Sequence, residues 1–215
     1  MLSYSISIMP ALLKGALFTI KLFLLTLVCS LPLGLILGLG RTCRFKPLNR
    51  LIEFYDWIMR GTPLLLQIIF VFYGLPVVNI VFPRFEAAAI ALILNYAAYF
   101  AEIFRGGFPS IPKGQYESAY VLCLTPGETV RKIIIPQVVK IVLPSIGNEV
   151  INLIKDSSLV YVIGLGDLLR AGDIAATRDV TLVPLILVGA IYLVLTGVAS
   201  FGLKKVENHY ATWKL

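Results

Sequence analysis

The chain has 215 residues, of which 58% are hydrophobic and 14% are charged, and its formal net charge is +7. This composition and the mean hydropathy of +0.88 exclude a soluble domain, which has about 45–50% apolar and about 25% charged residues. The length predicts one integral membrane domain, 1–215, without a further soluble module.

Five apolar segments are predicted to cross the membrane, because each approaches the roughly 20 residues needed to span about 30 Å of hydrocarbon. They lie near 17–40, 54–82, 86–104, 144–164 and 181–202. The chain is therefore predicted to be an all-α integral membrane protein. The first segment is not predicted to be a removable signal peptide, since its apolar run is too long and its basic cluster follows it.

Lysine and arginine residues are concentrated on one side of the predicted spans. That side holds Arg41, Arg44, Lys46, Arg50, Arg105, Lys113, Arg131, Lys132, Lys204, Lys205 and Lys214, whereas the other side holds Lys14, Arg84, Arg170 and Arg178. Basic loops stay in the cytoplasm, so the amino terminus is predicted outside and the carboxyl terminus in the cytoplasm. Topology and anionic lipid thus explain the positive charge better than nucleic-acid binding does.

The second predicted span contains the sequence Arg60-Gly61-Thr62-Pro63. Proline removes a helical hydrogen bond and glycine weakens the turn, so a break or kink is predicted near the inner half of this span. Thr62 is expected to satisfy the interrupted turn. Arg60 either serves a transport path or extends its charged end towards the membrane surface.

The third predicted span places Asn95, Tyr99 and Glu102 on one helical face. Polar groups at membrane depth are costly unless they face a cavity or one another, so this face is predicted to line a path. For Asn95, a hydrogen bond between helices is an equally good interpretation.

Residues 105–136 form a polar connection that is far longer than a simple helix–helix loop of about 2–8 residues. A helix is predicted from Pro112 to Leu124. Thr125 and Glu128 then predict a capping box that starts a second helix. The first helix carries an apolar stripe of Tyr116, Ala119, Tyr120 and Cys123. The loop is predicted to dock a cytoplasmic partner, and the alternative is a helix that lies on the membrane surface.

The fourth predicted span carries a second polar stripe. Glu149, Asn152 and Asp156 share one face, and Asn148 and Lys155 lie beside it. These residues are predicted to line the same path as the third span. A structural ion pair or a packing contact is the alternative for Glu149 and Lys155.

The segment between the fourth and fifth spans has mixed charge, with Asp167, Arg170, Asp173, Arg178 and Asp179. A solvated loop is the favoured interpretation, and contact with an external protein is the alternative. The three cysteines, Cys29, Cys43 and Cys123, have no CxxC spacing and are interpreted as packing residues rather than as disulfide or metal ligands.

No enzyme signature is present in the sequence. His209 is the only histidine, and a GxSxG turn and a glycine-rich phosphate-binding loop are both missing. The chain is therefore predicted not to be an enzyme, and any energy for its work is expected from a partner.

The sequence Gly114-Gln115-Tyr116-Glu117-Ser118-Ala119, followed by Ile135-Pro136-Gln137, resembles the EAA signature of ATP-binding-cassette importer permeases. The resemblance covers nearly the whole chain. The stretches Arg60 to Leu65, Asn95 to Arg105, Gly147 to Glu149 and Lys155 to Leu159 are similar to the polar amino acid permeases of that family. Two positions depart from the signature, because Ser118 replaces an alanine and Cys123 occupies the position expected to be glycine.

This resemblance implies five transmembrane helices with a cytoplasmic coupling helix-loop-helix, in a bacterial cytoplasmic membrane. It implies that the coupling helix enters a groove on an ATPase dimer, with Glu117 as the principal coupling residue. The implied coupling set is Gly114, Gln115, Glu117, Ser118, Ala119 and Cys123. The chain itself is expected to bind no cofactor, since ATP and magnesium belong to the partner ATPase. A second permease chain, identical or related, and an extracellular solute-binding protein complete the implied assembly.

The implied substrate is a polar amino acid. Its path is predicted to be lined by Asn95, Tyr99, Glu102, Asn148, Glu149, Asn152, Lys155, Asp156, Arg60 and Thr62. The carboxylates among them favour a cationic or zwitterionic solute, and Glu149 and Lys155 have the charges that bind its ammonium and carboxylate groups. The alternatives are an ion- or proton-coupled carrier and a non-transporting assembly subunit. A self-sufficient carrier does not need the 105–136 loop, and no internal repeat indicates one.

Overall fold

The structure is a computed structural model that describes residues 2–43 and 45–211. Its helices are α1 Leu2–Thr42, α2 Lys46–Gly61, α3 Leu64–Ile69, α4 Arg84–Gly107, α5 Lys113–Val121, α6 Pro126–Thr129, α7 Ile135–Asp156, α8 Leu168–Asp179 and α9 Val183–Ala211. Phe70–Gly74 and Val130–Ile134 form π-helical turns, and Leu75–Val78, Phe108–Ser110 and Ser157–Ile163 form 3-10 turns. The predicted all-α class is confirmed. Arg44 and Lys214, which contribute to the predicted orientation, lie outside the described residues.

Four to five helical stretches of the described chain are able to cross a membrane by length and composition. Four of them are continuous, namely Tyr4–Thr42, Arg84–Ser110, Pro126–Ile163 and Val183–Tyr210. The fifth is the pair Lys46–Gly61 and Leu64–Val78, whose two halves are bent by 104°. This set agrees with the five predicted spans.

The starts of the first and fourth predicted spans differ most from the observed helices; the second span also starts earlier than predicted, at Lys46, and the fifth extends further, to Ala211. α1 begins at Leu2 rather than near residue 17, since helical backbone bonding continues through polar residues that lower the local hydropathy. The fourth span begins at Pro126 rather than near residue 144. A capping box starts α6, and a π-helical turn then joins α6 to α7 without a break. The second helix of the predicted helix-loop-helix is therefore the beginning of the fourth span.

The break between α2 and α3 lies where the sequence predicts it. The backbone N–H of Thr62 donates to the carbonyl of Ile58 at 3.1 Å, and its hydroxyl donates to the same carbonyl at 2.8 Å. Pro63 follows, and it has no N–H with which to continue the helix. The predicted role of Thr62 in satisfying the last turn of α2 is confirmed.

Helix α4 lies at the centre of the fold, in contact with α1, α2 and α7. Its buried side chains include many alanines, which let the neighbouring helices approach closely. α1 has glycines where it contacts α4. A Cβ at Gly34 would lie 2.4 Å from the Cβ of Phe100, and a Cβ at Gly38 would lie 2.8 Å from the Cβ of Phe104, so neither position has room for a side chain. The backbones of α1 and α4 are therefore packed closely together at these glycines.

Gly34→Ala is expected to destabilise the protein by about 1–3 kcal/mol, because the added methyl group overpacks the α1–α4 contact. The thermal unfolding midpoint of the purified protein in detergent measures this change. Gly197→Ala is the matched control, since nothing lies within 4 Å of a Cβ at that position of α9. The control is expected to gain up to about 1 kcal/mol from helix propensity, and an equal response of the two variants would contradict the packing account.

The segment after the fourth span is a helix, α8, so its interpretation as a solvated loop is wrong. Asp167 is fully buried and caps α8, because its carboxylate accepts hydrogen bonds from the N–H groups of Leu169 at 2.9 Å and Arg170 at 3.3 Å. Thr19 of α1 accepts a hydrogen bond from the N–H of Leu168 at 3.2 Å. Burial raises the pKa of Asp167 to about 6. The sequence signal for this helix is the N-cap aspartate itself.

Candidate functional site

A polar cavity of about 610 Å³ opens at the break between α2 and α3. We call it the central cavity. Its walls are the break itself, one face of α4, one face of α7 and the 3-10 turn that follows α7. The lining residues are Arg60, Gly61, Thr62, Pro63, Leu64, Asn95, Tyr96, Tyr99, Glu149, Asn152, Asp156 and Leu159. The two predicted polar stripes thus meet at one cavity.

Amide side chains hold the broken helix in place on one side of this cavity. Asn95 is buried, and its Nδ2 donates to the carbonyl of Met59 at 2.9 Å and to Oε1 of Gln67 at 3.0 Å. Gln67 in turn donates to the carbonyl of Met59 at 2.9 Å and to the hydroxyl of Thr62 at 2.8 Å. Backbone carbonyls that the break leaves without helical partners are satisfied in this way.

Gln67 is missing from the predicted site residues. Its signal in the sequence is a single amide in the otherwise apolar run 64–69, directly after the predicted break. Tyr96 is also missing from the prediction, although it lines the cavity and donates from its hydroxyl to Oδ2 of Asp156 at 2.7 Å. From the sequence, an aromatic residue at this position is interpreted as part of the hydrophobic core. Only the fold shows that its hydroxyl reaches α7.

The charged residues of the central cavity come from two elements. Glu149 and Asp156 are half-buried on α7, and Arg60 is at the end of α2. The guanidinium of Arg60 lies 5.6 Å from the ring centre of Tyr99, within cation–π distance. Two carboxylates and one guanidinium therefore face a shared polar space.

Three of the predicted path residues do not line the central cavity. Asn148 and Lys155 are exposed, because one residue along a helix turns the side chain by about 100° away from the lining face. Glu102 lies further along α4, where Arg105 holds it with two bonds of 2.6 Å. The remaining members of the predicted path, Arg60, Thr62, Asn95, Tyr99, Glu149, Asn152 and Asp156, are brought together.

The predicted capping box in the loop is confirmed. The N–H of Glu128 donates to the hydroxyl oxygen of Thr125 at 3.3 Å, and the N–H of Thr125 donates to Oε2 of Glu128 at 3.1 Å. The preceding helix, α5, is shorter than predicted, since it ends at Val121 rather than at Leu124. Pro112 is its N-cap residue rather than a member of its first turn.

Helix α5 is held by one side and presents the other to the exterior. Ala119 is fully buried, and Gln115 accepts a hydrogen bond from Nε2 of Gln137 on α7 at 3.2 Å. The outward residues combine small, charged and apolar side chains. They are Gly114, Glu117, Ser118, Tyr120, Val121 and Leu122. Tyr120, Val121 and Leu122 together form an exposed apolar corner, which we call the loop tip.

Residues 30–210 match the family described as "binding-protein-dependent transport system inner membrane component". The chain belongs to this family. The matched region contains every residue that lines the central cavity and the whole loop. The permease is accordingly a multi-pass inner membrane component of a binding-protein-dependent system, and it is not itself the ATPase.

Individual relatives of the permease are components of amino acid transporters. The arginine transport system permease protein ArtQ of Bacillus subtilis is 40% identical over 208 residues, which cover 96% of this chain and 95% of that protein. The putative glutamine transport system permease protein GlnP of Rickettsia conorii is 33% identical over 213 residues, with coverages of 97% and 98%. The chain is therefore a permease subunit of an amino acid ABC transporter. This finding excludes the alternatives of a secondary carrier and an assembly subunit.

Solved structures share the fold of the permease. A chain from the crystal structure of an amino acid ABC transporter with histidines has a TM-score of 0.87 and 35% identity, and the match covers 96% of this chain and 97% of that chain. An inward-facing methionine ABC transporter, MetNI, has a TM-score of 0.79 at 19% identity, with coverages of 95% and 98%, which shows the fold alone.

Cys123 of the permease has φ +54°, in the left-handed region. The EAA signature that this loop resembles has glycine at this position, and glycine adopts such a backbone without steric cost. A residue with a Cβ pays roughly 1–2 kcal/mol there. The departure from the signature therefore places backbone strain at the corner after α5.

Cys123→Gly is expected to stabilise the permease by about 1 kcal/mol, because it removes this strain. The thermal unfolding midpoint in detergent is expected to rise by about 2–4 °C. Ser118→Gly is the control, since Ser118 is an exposed residue inside α5, where glycine costs up to about 1 kcal/mol. A lower midpoint for Cys123→Gly would show that the cysteine side chain contributes more than its backbone costs.

Proposed function

We propose that this permease carries polar amino acids, with cationic ones preferred, through the central cavity. The observation that carries this proposal is the convergence of Glu149 and Asp156 with Arg60 on one polar space. The carboxylates suit the ammonium group and a cationic side chain, and Arg60 suits the carboxylate. Lys155, predicted for the carboxylate, is exposed away from the cavity, so Arg60 takes this role.

The size of the cavity supports the same substrate class. A volume of about 610 Å³ lies within the roughly 300–1,000 Å³ of small-molecule sites. The relatives named for arginine and glutamine transport, and the related structure with histidines, agree with a polar amino acid. A preference for cationic substrates follows from the two carboxylates in this chain.

We further propose that α5 transmits the work of the ATPase subunits to the membrane helices. Glu117 and the small residues Gly114 and Ser118 are exposed and allow close approach, while the loop tip offers apolar surface for burial. Gln115, through its hydrogen bond to α7, and the buried Ala119 hold α5 against the rest of the chain. The exposed Cys123 forms the corner after α5. ATP and magnesium are bound by the ATPase subunits in this proposal.

The proposed orientation of the chain in the membrane follows from the contact of α5 with the ATPase, which is cytoplasmic. The loop, Arg41 and the last turns of α9 with Lys204 and Lys205 lie on the cytoplasmic side, and the amino terminus and α8 lie outside. The external solute-binding protein then meets the α8 side, where Asp173 and Arg178 are exposed. We propose that a second permease chain, identical or related, completes the transport path.

Reconstitution in liposomes tests the proposed function. The permease, its ATPase and its solute-binding protein are combined, and ATP-driven uptake of arginine, histidine, glutamine and glutamate is compared. Uptake that depends on ATP and favours arginine or histidine is expected. Uptake of glutamate alone would overturn the cationic preference, and ATP-driven uptake of none of these amino acids would overturn the proposal.

A further inference from the structure

A second charged cavity, of about 580 Å³, adjoins the central cavity on the side of the loop. We call it the loop-side cavity. It is lined by Arg41, Arg50, Glu53, Phe54, Asp56, Trp57, Arg60 and Glu102. Arg60 is common to both cavities. The two cavities are therefore neighbouring chambers that meet at the helix break.

Asp56 is the unusual member of this lining. It is only 5% exposed, and neither of its carboxylate oxygens accepts a hydrogen bond from any described residue. The nearest ion-pair atom is Nε of Arg41, at 3.9 Å from Oδ2. A buried carboxylate without hydrogen bonds is costly. A donor that enters the cavity would remove this cost.

Arg41 is engaged elsewhere, so it does not compensate Asp56 fully. Its Nη1 lies 3.2 Å from Oε2 of Glu53 and donates to Oδ1 of Asn49 at 3.0 Å. Asn49 returns a hydrogen bond from Nδ2 to the carbonyl of Arg41 at 2.7 Å. This network fixes the guanidinium at the junction of α1 and α2 and leaves the carboxylate of Asp56, which lines the loop-side cavity, without a hydrogen bond.

An aromatic pair stands next to Asp56. The rings of Phe54 and Trp57 are stacked, with their centres 5.9 Å apart and an interplanar angle of 29°. Trp57 is 70% exposed, so one face of its indole is open to a ligand. Aromatic faces beside a carboxylate are a recurrent arrangement for binding an organic cation.

The charges of the loop-side cavity balance, since it contains three arginines and three carboxylates. A balanced set of this kind suits a ligand that carries both signs, because each sign finds a partner. Arg50 and Arg60 are both exposed and flank the cavity. Arg50, which lines only the loop-side cavity, provides the donors for a carboxylate.

We propose that the loop-side cavity is a second amino-acid site, occupied by a substrate on its way between the central cavity and the cytoplasm. The cationic side chain binds between Asp56 and the Phe54–Trp57 pair, and the carboxylate binds Arg50, since Arg60 is assigned to the substrate in the central cavity. This inference rests on the proposed function, because it needs a cationic amino acid as substrate. The alternative is a structural charge cluster that binds nothing.

Equilibrium binding of radiolabelled L-arginine to the permease–ATPase complex in nanodiscs tests this site. Two arginines per permease chain are expected for the wild type, and one for Asp56→Asn. Glu149→Gln is expected to lose the other site instead. L-citrulline, in which a neutral group replaces the guanidinium, is expected to fill at most the central cavity. Trp57→Leu, at an exposed position, is expected to weaken the second site by about 3–30-fold.

The outcomes separate the two proposals. One arginine per chain in both the wild type and Asp56→Asn would overturn the loop-side site and leave the proposed function intact. Two arginines per chain in Asp56→Asn would also overturn it. Absence of arginine binding to the wild type would overturn the proposed substrate class together with this site. If Asp56→Asn does not fold, unchanged affinity in Trp57→Leu would overturn the site.

Discussion

Glu149→Gln is expected to raise the external arginine concentration that half-saturates ATP-driven uptake by about 10–100-fold. The substitution keeps the size of the side chain and removes the charge that is proposed to pair with the ammonium group of the substrate in the central cavity. Hydrogen bonds to charged groups contribute about 1.5–3 kcal/mol, which corresponds to this range. Initial rates of labelled arginine uptake into liposomes measure the effect.

Lys155→Gln provides the comparison on the same helix. Lys155 is near Glu149 in sequence, yet it is exposed and does not line the central cavity. Uptake by this variant is expected to stay within about twofold of the wild type, as for surface substitutions. A larger loss for Lys155→Gln than for Glu149→Gln would show that the path runs along the other face of α7.

Val121→Asp is expected to weaken the association of the permease with its ATPase strongly. Val121 is 78% exposed at the loop tip, and an unpaired carboxylate buried in a protein contact costs several kcal/mol. A weakening of at least about 100-fold is expected. Titration of the purified ATPase against the permease in nanodiscs measures the affinity, and ATP-driven uptake is expected to disappear with it.

Val180→Asp is the matched control for this substitution. Val180 is 91% exposed and lies just after α8, at the end of the molecule away from the loop. Its φ of +50° is tolerated better by aspartate than by valine. The affinity for the ATPase is expected to be unchanged. Equal ATPase binding by the wild type and Val121→Asp would remove the loop tip from the proposed contact.

The sequence predicts those parts of the fold that depend on local chemistry. The break at Gly61–Pro63 and the capping box at Thr125 were both predictable, because each depends on neighbouring residues and on backbone hydrogen bonds. The helical phase also placed Asn95 with Tyr99, and Glu149 with Asn152 and Asp156. That these two faces enclose one cavity was a prediction from the cost of polar groups in the membrane.

Features that depend on tertiary contacts were not predictable in the same way. Gln67 and Tyr96 reach their hydrogen-bond partners on neighbouring helices only because α3 and α7 pack against α4. This packing cannot be inferred from the sequence alone. The exposure of Asn148 and Lys155 depends on which face of α7 meets α4. Helix α8 was mistaken for a loop, because its charges suggested solvent while Asp167 is buried.

Helix α4 connects the loop that contains α5 with the helix break beside the central cavity. At one end it leads through the Phe108–Ser110 turn to α5. In its middle, Asn95 donates a hydrogen bond to the carbonyl of Met59 at the helix break. A displacement of α4 along its axis would therefore change the two hydrogen bonds that Asn95 donates at the break, to the carbonyl of Met59 and to Oε1 of Gln67. A pair of distance-sensitive labels on α2 and α4 beside this contact would measure whether α4 shifts relative to the helix break during ATP hydrolysis by the complex.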